Sequence, residues 1–396
     1  MPPIAGALNW SKGLHERIKE PFDRLETLST SIKEREEYKD VSKLYTSLVR
    51  NLKEFNEIKF AQWVEGVEKN TASQLDKFLL VREETDLAEE GFVRVNFDPI
   101  LRALLREVKY LLLLDLEVPE TAEQLYCRVD VYRQQTGNLE LIVEMYNDML
   151  ATLLHVEKPL LADRIQKMGQ ALEDGISKLR WNSDEKEKNT FISHAMKIVT
   201  EVDVLVKKMK DNVSKMQSLM ETWSKPLFER KKTMEPEIVA QFHAASVQPR
   251  QDDIRAQGKE IHKLLRDTMD NIKPDKKGYV WLQYVDYVNG LIIEGITSAI
   301  NSSMQYLSDQ INIKLNLTNM WAPIFDVKVD LLDDELAFQP SIGCNERQSG
   351  IRDIINEFVN DFISIAIQIQ RVDNKEAAAG DYLVEIKDQF QLFGTM

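Results

Sequence analysis

Nine apolar residues, Val199, Val202, Val206, Met209, Val213, Met216, Met220, Trp223 and Leu227, follow one another at separations of 3, 4, 3, 4, 3, 4, 3 and 4. A strand points successive side chains to opposite faces and cannot use that spacing, whereas a helix gathers it into one seam. Two architectures bury such a seam: a coiled coil between chains, and a bundle within one chain. The flanking positions separate them. With Val199 as heptad position a, the g positions are Leu205, Asn212, Leu219 and Pro226. A two-stranded coiled coil usually carries charges there. The two leucines widen the stripe to the broader face that bundles bury, so the spacing predicts an intramolecular helical bundle.

Composition extends that reading to the whole chain. Its 396 residues include only 15 Gly and 12 Pro, too few for the frequent turns of a barrel or sandwich. The expected fold is all-α, an elongated array of consecutive helical bundles, and the length suggests two or three packing units. A formal net charge of −14 disfavours nucleic acid and other acidic surfaces, including microtubules and membranes. The longest apolar run, Tyr110 to Leu114, is far too short for a membrane span, and the opening residues lack the pattern of a signal peptide. Cys127 and Cys344 form neither a disulfide framework nor a zinc motif, and both read as reduced packing residues of a cytosolic protein.

Along the chain, Trp10, Leu14, Ile18, Phe22, Leu25, Leu28 and Ile32 mark a first helical face, with a kink or break expected at Pro21. Leu44, Leu48, Leu52, Phe55 and Trp63 continue in helical style to Val67, and residues 72–81 read as a short helix. Val93, Val95 and Phe97 alternate, which suggests an extended crossing. Asp98 as N-cap with Pro99 at the first helical position opens a helix carrying Ile100, Leu101, Leu104, Leu105, Val108 and Leu112. Pro119 starts a helix to about Gln135, Thr136-Gly-Asn reads as a turn, and helices follow at 139–155 and from Pro159 to near Trp181. After the heptad helix, breaks are expected at Pro236 and Pro249, then a helix from Asp252 to about Ile272, a turn at Pro274–Gly278, and a helix from Tyr279 to about Leu317. Residues 323–342 alternate around Asp333-Asp334 and predict a β-hairpin. Amphipathic helices follow at 352–370 and 383–393. The chain stops at Met396 with no capping glycine or polar tail, so that end reads as cut, and Met1 reads as a start partway along a longer chain. The resulting division is 1–182 and 183–320 as bundles, 321–345 as a hairpin insertion, and 346–396 as the start of another bundle.

Chemistry-bearing motifs are missing or incomplete. Neither a Walker-type phosphate loop nor a G-x-G-x-x-G fingerprint occurs. His15-Glu16 opens like a zinc-protease motif, but Lys19 stands where the second histidine belongs, and His155, His194, His243 and His262 are isolated. Asp330, Asp333, Asp334 and Glu335 raise the reading of an all-α, magnesium-dependent lyase or synthase. Ala337 occupies the position that a D-D-x-x-D motif needs, and the surroundings are strand-like, so a solvated turn is the better reading. Ile367–Arg371 begins like a calmodulin-binding IQ motif, but Val372 and Asn374 replace its arginine, which favours a packed helix. Lys207, Lys208, Lys210 and Lys215 lie mostly off the heptad stripe and read as a solvated face. No catalytic, cofactor-binding or metal-ligating residue is assigned, and the sequence does not single out partner contacts.

PPIAGALNWSKGLHERIKEPFDRL at the start resembles a segment of axonemal dynein heavy-chain tails, as do VNFDPILRALLREVKYLLLL at 95–114, GNLELIVEMYNDML at 137–150 and the hairpin PIFDVKVDLLDDELAFQPSI at 323–342. These islands occur in order across most of the chain, and the outer-arm type fits better than the cytoplasmic one. The resemblance implies a non-catalytic structural scaffold, with the ATPase motor elsewhere in the full heavy chain. It implies WD-repeat intermediate chains, light chains and neighbouring heavy chains as partners, with indirect attachment to doublet microtubules in the ciliary axoneme. The alternative, supported by the bundle pattern alone, is a spectrin-like helical tether unrelated to motors.

Overall fold

The structure, a computed structural model, describes residues 1–27, 33–85, 88–227, 229, 236–311, 328–332, 335–339, 350–372 and 381–386. The fold is all-α with small β-hairpins. It divides into two compact units, Met1–Thr152 with Arg164–Asp203, and Leu153–Asp163 with Val204–Met396.

The first unit holds α1 (Pro3–Glu26), α2 (Glu36–Leu75), a hairpin of β1 (Leu80–Thr85) and β2 (Ala88–Val95), α3 (Pro99–Leu113), α4 (Glu120–Cys127), α5 (Val129–Thr152) and most of α6 (Ala162–Ser177). It also holds the first half of α7 (Glu185–Glu221). α1 begins without a side-chain cap of its own. Its first free donors are met from α3 instead: Ile4 N and Ala5 N each donate to a carboxylate oxygen of Glu107, both at 2.9 Å. Ala5, Leu8 and Leu111 form a core there, packed by Phe60, Trp63 and Tyr110. Asp98 caps α3, accepting from Ile100 N at 2.8 Å, and its other oxygen accepts from Lys77 Nζ at 2.8 Å. The lysine bond holds the Asp98 carboxyl below its ordinary pKa.

The second unit holds the rest of α7, α8 (Pro236–Ile272), α9 (Tyr279–Ile311), a hairpin of β3 (Lys328–Leu332) and β4 (Glu335–Gln339), α10 (Ile351–Ile363) and α11 (Ile365–Gln368). All nine seam residues are at most 7 % exposed, Val199 and Val202 within the first unit and the other seven within the second, so the heptad pattern marks core. α7 itself ends at Glu221, and Trp223 and Leu227 continue the buried row beyond the helix. At the intervening g position, Asn212 is also buried and donates to Thr268 Oγ1 at 3.0 Å and to the Leu264 carbonyl at 3.3 Å, on α8. Close packing shows at Gly295 on α9, where a Cβ would lie 3.0 Å from Met220 Cβ. The β3–β4 strands pair antiparallel with Val329 opposite Phe338 and Leu331 opposite Leu336, as the alternation predicts. Asp333 and Asp334 lie outside the described residues, as do 387–393 of the last expected helix.

Several expectations are corrected. α1 runs through Pro21 and α8 through Pro249 without a break. Both prolines are exposed, so the carbonyls that lose a helical partner face water, and the surrounding packing carries the helix across. Thr136-Gly-Asn is not a turn but the middle of α5. Tyr132, Gln135, Thr136, Leu139 and Ile142 are buried on one face, and that burial outweighs the ~1 kcal/mol cost of a helical glycine. The chain breaks earlier instead, at Arg128 between α4 and α5. Residues 72–81 are not one helix: α2 ends at Leu75 and β1 starts at Leu80. The extended crossing is one strand of an additional hairpin, whose register shifts between Glu83 and Thr85. Gly91 sits at that irregularity with φ of 71°, and a Cβ there would meet Glu83 O at 2.8 Å.

Candidate functional site

The motif residues considered for chemistry are dispersed. Among the described residues, no three His, Cys, Asp or Glu side chains gather as a metal site. His15 lines a groove between α1 and α2, while His155 and His194 stand exposed. His243 is buried, stacked 3.6 Å from the Phe358 ring, with Nε2 3.0 Å from Asp361 Oδ2. Burial pulls its pKa below the ordinary value, against the opposing carboxylate. Asp330 and Glu335 are exposed on the β3–β4 hairpin. The Ile367–Arg371 segment is tied down structurally: Gln368 accepts from Arg255, His262 Nε2 lies 2.8 Å from the Gln370 carbonyl, and Arg371 pairs with Glu385.

Two expectations about side chains are corrected. Cys127 is exposed rather than packed: it is the last residue of α4, whose buried residues are Ala122 and Leu125. Cys344 lies outside the described residues. Lys210 does not belong to a solvated face: it pairs with Glu157, which is fully buried and also accepts from Leu154 N at 2.8 Å. A buried carboxylate without a cation is costly, so Lys210 is drawn inward.

The polar interior of each unit serves structure. In the first, Lys188 Nζ donates to the Trp181 carbonyl at 2.8 Å and lies 5.6 Å from the Tyr132 ring centroid. Burial lowers its pKa. Phe97, Tyr132 and Trp181 form an aromatic corner beside it, and Trp181 Nε1 donates to the Asn96 carbonyl at 2.8 Å. In the second, Tyr382 donates to Asn289 Oδ1 at 2.7 Å while Asn289 Nδ2 donates to the Val372 carbonyl at 2.8 Å. Burial pushes the Tyr382 hydroxyl up to about 12.

Two concave surfaces of the first unit combine apolar and polar lining. One, of about 530 Å³, lies between α1 and α2 and is lined by Leu8, Val49, Leu52, Phe60, Leu114 and Leu116. Ser11 Oγ and Asn56 Oδ1 are buried at its wall without a hydrogen-bond partner. The other, of about 730 Å³, is formed by α3, α4 and α5. Its apolar lining is Phe97, Leu105, Tyr110, Tyr126, Val129 and Tyr132. Arg102, Arg106, Lys109 and Arg133 surround it, with Asp130 and Glu140 as the opposing carboxylates. Arg133 pairs with Asp130 at 3.0 Å and Arg102 with Glu140 at 3.4 Å. Arg106 and Lys109 make no ion pair among the described residues. The sequence does carry this signal, as basic residues spaced by four and three along α3, but the apolar face of the same helix masks it. Size and mixed lining suit both surfaces to binding.

Residues 1–189 match the family described as dynein heavy chain, N-terminal region 1. Over its whole length the chain is 32% identical to the dynein beta chain of the flagellar outer arm of Chlamydomonas reinhardtii. Over 94% of its length it is 30% identical to the ciliary dynein beta chain of Tripneustes gratilla, and 27% identical to dynein axonemal heavy chain 9 of Homo sapiens. The chain spans 8–9% of the length of these relatives.

Proposed function

Since the chain belongs to the axonemal dynein heavy-chain family and corresponds to the N-terminal tail region of its members, we propose that it is a non-catalytic structural scaffold of an outer-arm heavy-chain tail. In this reading it holds WD-repeat intermediate chains, light chains and neighbouring heavy chains together. Through them it anchors a microtubule motor to the doublets of a cilium, while ATP hydrolysis belongs to the motor region of a full heavy chain. Residues 1–182 and 183–320 act as bundles, 321–345 as an insertion, and 346–396 as the opening of a further bundle.

The observation that carries this is the match along the whole chain to a flagellar outer-arm heavy chain, by a sequence without a phosphate-binding loop. Support also comes from where the polar groups are spent. Asp98 caps a helix, Asn212 joins two helices, Glu157 closes a turn, and Lys188 and Asn289 tie non-helical backbone to helices. The test is capture of purified WD-repeat intermediate chains by the folded 396-residue chain. Retention on the chain is expected. Failure of a folded chain to retain them overturns the docking role.

A further inference from the structure

We propose that the concave site between α3, α4 and α5 docks an acidic peptide with an apolar anchor, presented by a partner protein; the identification of the occupant as a protein segment rests on the scaffold reading above. The first ground is charge. Four cations and two carboxylates line the site, although the chain as a whole carries −14. Both carboxylates are already paired, which leaves Arg106 and Lys109 unsatisfied within the described residues. Such a local reversal of sign attracts acidic partners and repels basic ones.

The second ground is the layout of the cations. Arg102, Arg106 and Lys109 stand at positions i, i+4 and i+7 of α3, so they form a line roughly 10 Å long on one helix face. An extended peptide covers that distance in about three residues, and its carboxylates can be shared along the row. A nucleotide needs a different arrangement, with glycine-rich backbone amides converging on phosphate. Here Gly137 lies inside α5, where its amide belongs to the helix.

The third ground is the space between the charges. Phe97, Tyr110, Tyr126 and Tyr132 give the site aromatic walls, suited to one bulky apolar side chain. Gly137 borders that open space, since a Cβ there would meet nothing within 4 Å. That also gives a variant that fills the site without disturbing the helix. A leucine at this point is a better helix former than glycine and projects into the open space.

The experiment uses the full chain and a fluorescein-labelled peptide of alternating glutamates around a central tryptophan, read by anisotropy. Wild-type chain binds it, and added salt weakens the binding. The Arg106→Glu/Lys109→Glu double variant and Gly137→Leu each weaken it by about tenfold or more, with circular dichroism and thermal midpoint retained. Absence of binding to the wild type overturns the proposal, as does equal binding by the folded variants. Displacement of the peptide by equimolar ATP assigns the site to a compact anion and overturns it too. The two readings fail separately. Lost peptide binding with retained intermediate-chain capture removes only this site. Retained peptide binding without capture removes the intermediate-chain docking role.

Discussion

Glu107 illustrates how much a single side chain can decide. The first helix cannot cap itself, because its N-cap is Pro2, which offers no side-chain acceptor. A carboxylate 102 and 103 residues away accepts from its first two available amides. Each buried donor left without an acceptor costs about 1–3 kcal/mol. Glu107→Ala is therefore expected to lower stability by about 2–4 kcal/mol. Amide exchange should rise first at Ile4 and Ala5 if the loss is local, and an unchanged thermal midpoint would refute the role. His243 gives a residue-scale prediction about pH. Its folded pKa lies below that of the unfolded chain, so the unfolded state binds more protons in the window just below 6.5. The stability it contributes is present above that value and is lost as pH falls toward the folded pKa. Thermal midpoints measured from neutral to mildly acidic pH should fall, and His243→Phe, which keeps the stack on Phe358, should flatten that part of the profile. These residues were only partly visible beforehand. Asp98 announced itself as a cap through the proline after it. Glu107 did not, because its partners are distant in sequence and it sits among the charges of an ordinary amphipathic helix.

At the scale of elements, periodicity was the reliable guide wherever a face was long and buried. The α7 seam is the clearest case, and the β3–β4 strands followed from strict alternation. Errors arose where local residue preferences opposed tertiary packing. Gly137, Pro21 and Pro249 all argue locally for interruption, yet each lies in a continuous helix, with the prolines on the exposed side. The β1 strand was missed for the opposite reason. Its first residue, Leu80, and the preceding Leu79 are fully buried, and a short apolar run of that kind fits helix and strand alike. Even within α3 the buried face is rotated slightly from the predicted one, with Ile100 exposed and Leu111 buried. The docking surface was illegible as such, because a cavity depends on which helices become neighbours. The seam makes its own prediction. Met216 is fully buried, so Met216→Ala should cost about 2–5 kcal/mol in chemical denaturation. A variant that altered self-association while leaving stability intact would contradict the intramolecular placement.

For the whole molecule, charge is the dominant long-range property. A chain at −14 gains nothing from approaching an acidic polymer. In co-sedimentation with bare microtubules at physiological salt, the chain is expected to stay in the supernatant. Stoichiometric pelleting without other subunits would contradict the indirect attachment proposed above. The cost of holding like charges together also bears on assembly, since a neighbouring chain of similar charge needs local patches of opposite sign to approach. Finally, the regular spacing of the α7 seam has a mechanical consequence. Pulled along its axis, a helix anchored at every third or fourth residue loads its contacts in shear, so they must slip together. Pulled sideways, the same contacts break one after another, as a zip opens. Rupture under force follows the unfolding barrier rather than equilibrium stability. A seam of this kind therefore resists tension according to its direction, stiff along the helix axis and yielding across it.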